Sequence, residues 1–201
     1  MGFSFIAEAL FQNYLPASPW RLFTENTLTA VIPVLVQRNR ATFFSMLRLW
    51  FVVLIANLVG AHIIAWVLGN TPVFDHELKD VMQQLAVQAA DVTFGTAILR
   101  GIFAGWLIAM VVWMLAASDS AKVSIIVILT YIVGLAGLTH VIAGSVEVLF
   151  PVMTGVQPWL SYFTGYLIPA LIGNIIGGVA LVSALNHAQV ISGSPAKTSR
   201  R

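Results

Sequence analysis

The chain of 201 residues contains no cysteine, which removes disulfides, thiolate nucleophiles and cysteine-held metals from consideration. Charge is scarce as well: 9% of residues are Asp, Glu, Lys or Arg. Soluble domains carry about 25%, so little of this surface is made for water. A net charge of +2, with no basic patch interleaved with aromatics, gives no argument for nucleic acid as a partner. The HExxH, GxSxG and P-loop patterns are missing, and Glu8 and Glu25 make no acid–base pair. His62, His76 and His187 lie on different segments without metal-ligand spacing. Neither an enzyme nor a cofactor or metal is therefore expected. The N-terminus lacks a basic leader and carries Glu8 inside its apolar run, unlike a clean secretory signal.

What the chain has in abundance is apolar sequence, 59% of the residues. A helix that crosses a bilayer needs about 20 predominantly apolar residues. Residues 42–68, 91–117 (with Arg100 inside) and 161–185 meet this. Two shorter pieces, 122–138 and 143–153, are separated by Gly134, Gly137, His140 and Gly144, and read as one helix broken near the bilayer centre. Residues 27–36 form a half-span opened by the polar run Thr24-Glu25-Asn26-Thr27. Residues 3–14 are apolar but too short to cross alone. Tryptophans other than Trp20 are read as interface anchors or core residues.

The distribution of cations sets an expected orientation. Arg38, Arg40 and Arg48, then Lys122, then Lys197, Arg200 and Arg201 alternate with loops holding Asp75, Glu77, Asp80 and Asp91 against a single Lys79. Positions near 40, 120 and 200 are thus predicted to face the cytoplasm. The small, polar, basic tail is expected to be disordered there.

One pattern is written twice. Val31-Ile32-Pro33-Val34-Leu35 precedes a span with Asn57-Leu58-Val59-Gly60, and Leu149-Phe150-Pro151-Val152-Met153 precedes one with Asn174-Ile175-Ile176-Gly177. Proline and asparagine are 24 residues apart in the first copy and 23 in the second. Interrupted apolar segments in corresponding positions of two halves point to a transport path. The halves are unequal. In the second, 60 residues separate the start of the first span at Asp91 from the proline, whereas only 32 residues precede Pro33. By this internal comparison we expect about half a span at the N-terminus and one half-helix between Arg21 and Leu22 to be absent, the latter about 20 residues. The expected organisation is an incomplete first repeat over 1–69, an extracytoplasmic linker over 70–90, a second repeat over 91–190 and a basic tail over 191–201.

Several ordered motifs carry a family resemblance: Leu22-Phe23-Thr24-Glu25-Asn26-Thr27-Leu28, Ala56-Asn57-Leu58-Val59-Gly60-Ala61, Thr93-Phe94, Trp113, the break around His140, and Ile168-Pro169 through Gly173-Asn174-Ile175-Ile176-Gly177-Gly178. From about Leu22 to Val190 the chain resembles the formate–nitrite transporter family. The resemblance implies an all-α integral membrane protein, an aquaporin-like inverted-repeat bundle with two broken helices, here with the first repeat incomplete. It also implies a homo-pentamer in an inner (plasma) membrane, each protomer with its own pore for small monovalent anions. The family pattern has an acidic residue before its pore histidine and an asparagine four residues after it, where this chain has Thr139 and Gly144. A middle-span asparagine is replaced by Gly105, a constriction aromatic by Val133, and Arg100 stands where the family tends to be apolar.

On this reading His140 is the central candidate. An intramembrane ionisable group is a functional hypothesis by default, and non-helical backbone at that depth must be buried in protein or line a cavity. By resemblance, its imidazole hydrogen-bonds or protonates a small carboxylate. The bland alternative is a neutral histidine satisfied by a backbone carbonyl. Thr24 sits at the other break, contacting the ion or capping the half-helix, roles that are compatible because an inward-pointing helix N-terminus favours anions. Phe23 and Leu22 form an apolar constriction or ordinary core. Arg100 lies nine residues into its span, roughly 13 Å along a helix; it faces the pore, a subunit interface or Glu147, or it snorkels. Asn57 and Asn174 are read as hydrogen-bonding struts, and Gly60, Gly177 and Gly178 as close-packing points. The competing function is a non-transporting membrane subunit of the same fold.

Overall fold

The computed structural model describes residues 30–31, 33–35, 37–117 and 120–193. Its elements are all helical: α1 (Arg40–Asn70), α2 (His76–Ala90), α3 (Phe94–Ala117), α4 (Lys122–Leu135), α5 (Ala143–Met153), then a π-helical segment (Ser161–Leu167) that runs directly into α6 (Ile168–Gly193). Leu22, Phe23 and Thr24, and with them the first predicted break, lie outside the described residues. The expected tail from 191 is helical as far as Gly193.

Among the described residues, three helices are long and apolar enough to cross a membrane: Arg40–Asn70, Phe94–Leu115 and Ser161–Leu181. Their outward side chains are large and apolar, Phe44, Phe51, Leu99 and Phe103 among them, as suits a lipid-facing surface, since lipid tails are as apolar as leucine. At the start of α1 the Asn39 side chain accepts from the Thr42 N–H at 2.7 Å, satisfying one of the helix's orphan donors.

Residues 70–90 are not a plain linker. They contain α2, begun by Asp75, whose carboxylate accepts from the Leu78 N–H at 2.9 Å, with Glu77 in the first turn where the helix dipole favours an anion. Ala86 is completely buried, while Leu78, Val81 and Leu85 point outward. Lys79 reaches back from α2 to the end of α1 and donates to the carbonyls of Thr71 at 2.7 Å and Gly69 at 3.1 Å. It thereby caps orphan carbonyls of the preceding span. Lys79→Met is expected to lower the thermal midpoint of purified protein by a few degrees, corresponding to about 1 kcal/mol for partly exposed charged hydrogen bonds. An unchanged midpoint would show that α2 docks without this cap.

The closest helix pair is α3 against α6. Gly101 and Gly105 on α3 face Gly173 and Gly177 on α6. A Cβ on Gly105 would stand 2.8 Å from the Asn174 Cα, and one on Gly173 2.8 Å from the Gly101 Cα. Small residues four apart on both helices let the backbones touch, the usual device for helix association in lipid. α1 and α2 pack on α5, completing a core of Leu58, Ala61 and Ala65 with Leu149, Val152 and Tyr162.

The last span starts in π register. Its Ile168 N–H bonds back to the Phe163 carbonyl, five residues earlier. Pro169, fully buried one residue later, has no N–H with which to continue an α ladder, which releases the turn before it. His62 of α1 stacks on Trp159 at the head of this span, with ring centroids 5.6 Å apart and planes 12° from parallel.

Candidate functional site at the second helix break

The break between α4 and α5 is made by local backbone chemistry. Gly137 adopts φ +57°, a left-handed conformation open to glycine without strain. The Gly137 and Leu138 N–H groups bond to the carbonyls of Gly134 and Val133 at 3.1 and 3.0 Å, which closes the end of α4. The chain then runs through Leu138, Thr139 and His140 before α5 begins at Ala143.

The first N–H groups of a helix have no partner within it, and here each from 141 to 144 is taken. Val141 donates to Asn174 Oδ1 at 3.0 Å. Ile142 and Ala143 both donate to His140 Nδ1, at 3.3 and 3.2 Å. Gly144 donates to the His140 carbonyl at 3.0 Å. His140 thus acts as the cap of the half-helix that follows it. Because Nδ1 accepts, the neutral ring carries its proton on Nε2. The backbone donors being occupied, the donor left at this end of α5 is the imidazole Nε2–H, polarised by the two N–H groups behind it.

Asn174 of α6 ties the break to both packed helices. Its Nδ2 donates to Thr139 O at 2.8 Å and Gly101 O at 3.0 Å while its Oδ1 holds Val141. Thr139 is buried, and its hydroxyl donates to the Ala97 carbonyl at 2.7 Å, so an uncharged side chain satisfies this position. From the π segment, the Tyr166 hydroxyl donates to the His140 carbonyl at 3.2 Å, and Tyr162 donates to Ser145 Oγ at 2.9 Å. Ser145 Oγ in turn donates to the Val141 carbonyl.

The structure brings His140, Gly144 and Asn174 together, with Arg100 close by. Arg100 is half-buried, and its Nη1 lies 3.9 Å from where a Cβ on Gly137 would stand. Its guanidinium therefore sits against the turn of the break, and Glu147 stands exposed on α5. Val133 is buried on α4, two turns before His140. Gly177 and Gly178 are buried on α6, and a Cβ on Gly177 would stand 2.9 Å from the Trp106 N. Asn57 bonds within its own helix, donating to Val53 O at 2.8 Å, and Gly60 is half-buried on α1. Thr24, Phe23 and Leu22 are outside the described residues.

Two parts of the site were not singled out in full: Gly177 was read as a close-packing point and Gly105 as a departure from the family pattern, but neither was paired with Gly101 or Gly173. The Gly101-x-x-x-Gly105 and Gly173-x-x-x-Gly177 pairs were legible as small-xxx-small spacing. Tyr162 and Tyr166 carried no such signal, because only the fold shows that their hydroxyls meet α5.

A family model described as "Formate/nitrite transporter" matches residues 19–188. The chain is 33% identical to the inner membrane protein YfdC of Escherichia coli over 94% of its own length and 68% of that protein. It is 27% identical to the formate channel FocA of Haemophilus influenzae, over 83% of its length and 66% of that protein. It is 29% identical to formate-nitrite transporter 3 of Toxoplasma gondii, over 82% of its length but 33% of that protein. With helices fit to cross a membrane, a helix broken between them and a match over most of its length, this integral membrane chain belongs to the formate/nitrite transporter family, whose members are transporters and channels and not enzymes.

Proposed function

We propose that the chain conducts small monovalent anions of the formate or nitrite kind through a path lined by the second helix break, with His140 at its centre. The observation that carries this reading is the hydrogen-bond pattern at the start of α5. Backbone donors 141–144 are engaged, so the Nε2–H of His140 is the group left to meet an anion, with the positive end of a half-helix behind it. Arg100 beside the Gly137 turn adds a positive field that concentrates anions. On this reading Leu22 and Phe23 serve as an apolar constriction, Thr24 as a hydroxyl contact for the ion, and Val133 stands where the family resemblance implies a constriction aromatic. A homo-pentamer in a bacterial inner membrane, with the C-terminus in the cytoplasm, completes the reading.

Reconstituting the full chain in liposomes tests it. Uptake of labelled formate or nitrite well above that of empty vesicles is expected. Flux equal to empty vesicles would overturn the proposal.

A second reading has its own support. The alignment with YfdC spans 211 positions and covers 94% of 201 residues, about 189, so about 22 positions of the relative have no counterpart here. That is close to one membrane-crossing helix. A chain lacking it would persist as a non-transporting subunit of the same fold. Absent flux together with stable assembly in the same liposomes would favour this reading.

A further inference from the structure

Gly144 and Tyr166 occupy one another's space. A Cβ on Gly144 would fall on the Tyr166 hydroxyl, and would stand 2.6 Å from the ring carbon Cζ and 3.3 Å from Cε1. The phenol ring is therefore seated against the first turn of α5, and residue 144 can carry no side chain while it is there. From that seat the hydroxyl donates to the His140 carbonyl at 3.2 Å, the same oxygen that accepts from Gly144 N at 3.0 Å. One turn earlier in the π segment, Tyr162 reaches Ser145, which holds the Val141 carbonyl. The last span thus holds the His140 carbonyl directly, and braces the Val141 carbonyl indirectly through Ser145 of α5. Both tyrosines are buried, so these bonds lie in a low-dielectric surrounding.

We propose that Tyr166 is the positioning residue for His140. Its hydroxyl holds the histidine's own carbonyl, which orients the backbone so that Nδ1 faces the Ile142 and Ala143 N–H groups and Nε2 faces the path. Gly144 is the complementary half of this device, since its missing side chain admits the ring. The π register set by Pro169 delivers Tyr166 to that place. The inference deepens the anion-path reading, in which the direction of the Nε2–H decides how an anion is met. The geometry that it concerns stands whether or not the chain transports.

The test uses the full chain in lipid bilayers with 15N-labelled histidine, in which four residues each contribute a pair of ring-nitrogen signals; His140→Asn identifies the pair of interest. At a pH where the ring is neutral, the wild type is expected to show one tautomer, with Nδ1 bare and Nε2 protonated. Tyr166→Phe, which keeps the ring and removes the hydroxyl, is expected to give a mixture of both tautomers. It should also lower formate flux by about tenfold, the consequence of a small misplacement of a contacting group. Gly144→Ala is expected to disrupt the break, and adding Tyr166→Leu, which vacates the space, to restore folded protein. A Tyr166→Phe spectrum identical to wild type would overturn the proposal, and so would a Gly144→Ala protein equal to wild type in fold and tautomer. Wild type without flux but with the expected spectra would sink the transport reading and leave the positioning role standing.

Discussion

Gly177→Val is expected to abolish folded protein. A Cβ at this position would stand 2.9 Å from both the Ile102 carbonyl carbon and the Trp106 backbone nitrogen, closer still to the Ile102 oxygen. Those atoms belong to the α3 backbone, so no rotamer change relieves the clash and the helices must part. Overpacking a core typically costs about 1–3 kcal/mol where side chains can yield. Against backbone the loss should exceed about 3 kcal/mol, a large share of a typical domain's stability. Separating α3 from α6 would also strain the Asn174 bond to the Gly101 carbonyl. Size-exclusion chromatography in detergent, followed by thermal unfolding, reads the effect. Gly95→Ala serves as control, because nothing lies within 4 Å of its Cβ position. A Gly177→Val protein that elutes and melts like the control would refute the packing argument.

Replacing His140 is expected to separate its two roles. His140→Asn keeps a side chain that accepts at a helix N-terminus, since asparagine is among the best N-caps. The Ile142 and Ala143 N–H groups now held by Nδ1 would keep a partner. The thermal midpoint should therefore move by only a few degrees. The imidazole Nε2–H and its proton are lost, and with them the group proposed to meet the anion. Removing one preorganised donor from a water-poor site lowers rates by about a hundredfold or more in enzymes, and a similar fall in formate flux is expected. Any pH dependence of flux that arises from the ring should vanish with it. His140→Leu should lose both the flux and the cap, lowering stability by about 1 kcal/mol more, a further few degrees in the midpoint. Equal flux in His140→Asn and wild type would remove His140 from the path.

Much of the fold was legible because long apolar runs have one outcome in a membrane protein. Backbone polar groups must be satisfied within the segment, which only a helix achieves there. The spans expected at 42–68, 91–117 and 161–185 correspond to α1, α3 and the π segment with α6. The short piece expected at 143–153 is α5, and the glycines between the half-helices coincide with a break. Helix α2 was read as linker for a physical reason. Leu78, Val81 and Leu85 recur at helical spacing, but the segment is 15 residues long and carries Glu77, Lys79 and Asp80 in its first turns, too short and too charged to read as a span. Its visible signal was the cap, Asp75 followed by Glu77. Gly105, where the family resemblance implies a polar residue, also became intelligible only in three dimensions, because the α6 backbone fills the space a side chain would need.

By itself, then, the sequence determined the class and the medium: scarce charge, apolar runs of crossing length and a repeated proline-to-asparagine pattern leave a helical membrane protein of this family. It also pointed to His140, because an ionisable residue among glycines in the middle of a broken helix is costly unless it has a role. What faces what was decided by the tertiary structure. The tautomer of His140 depends on Ile142 and Ala143 N–H groups aimed at Nδ1, and the shape of the break depends on Asn174, Tyr162 and Tyr166 arriving from the last span. These partners are up to 35 residues away in the chain. Periodicity reports only which residues share a face of one helix, whereas hydrogen bonds across the break are set by how closely α3 and α6 approach and by the π turn that aims the tyrosines.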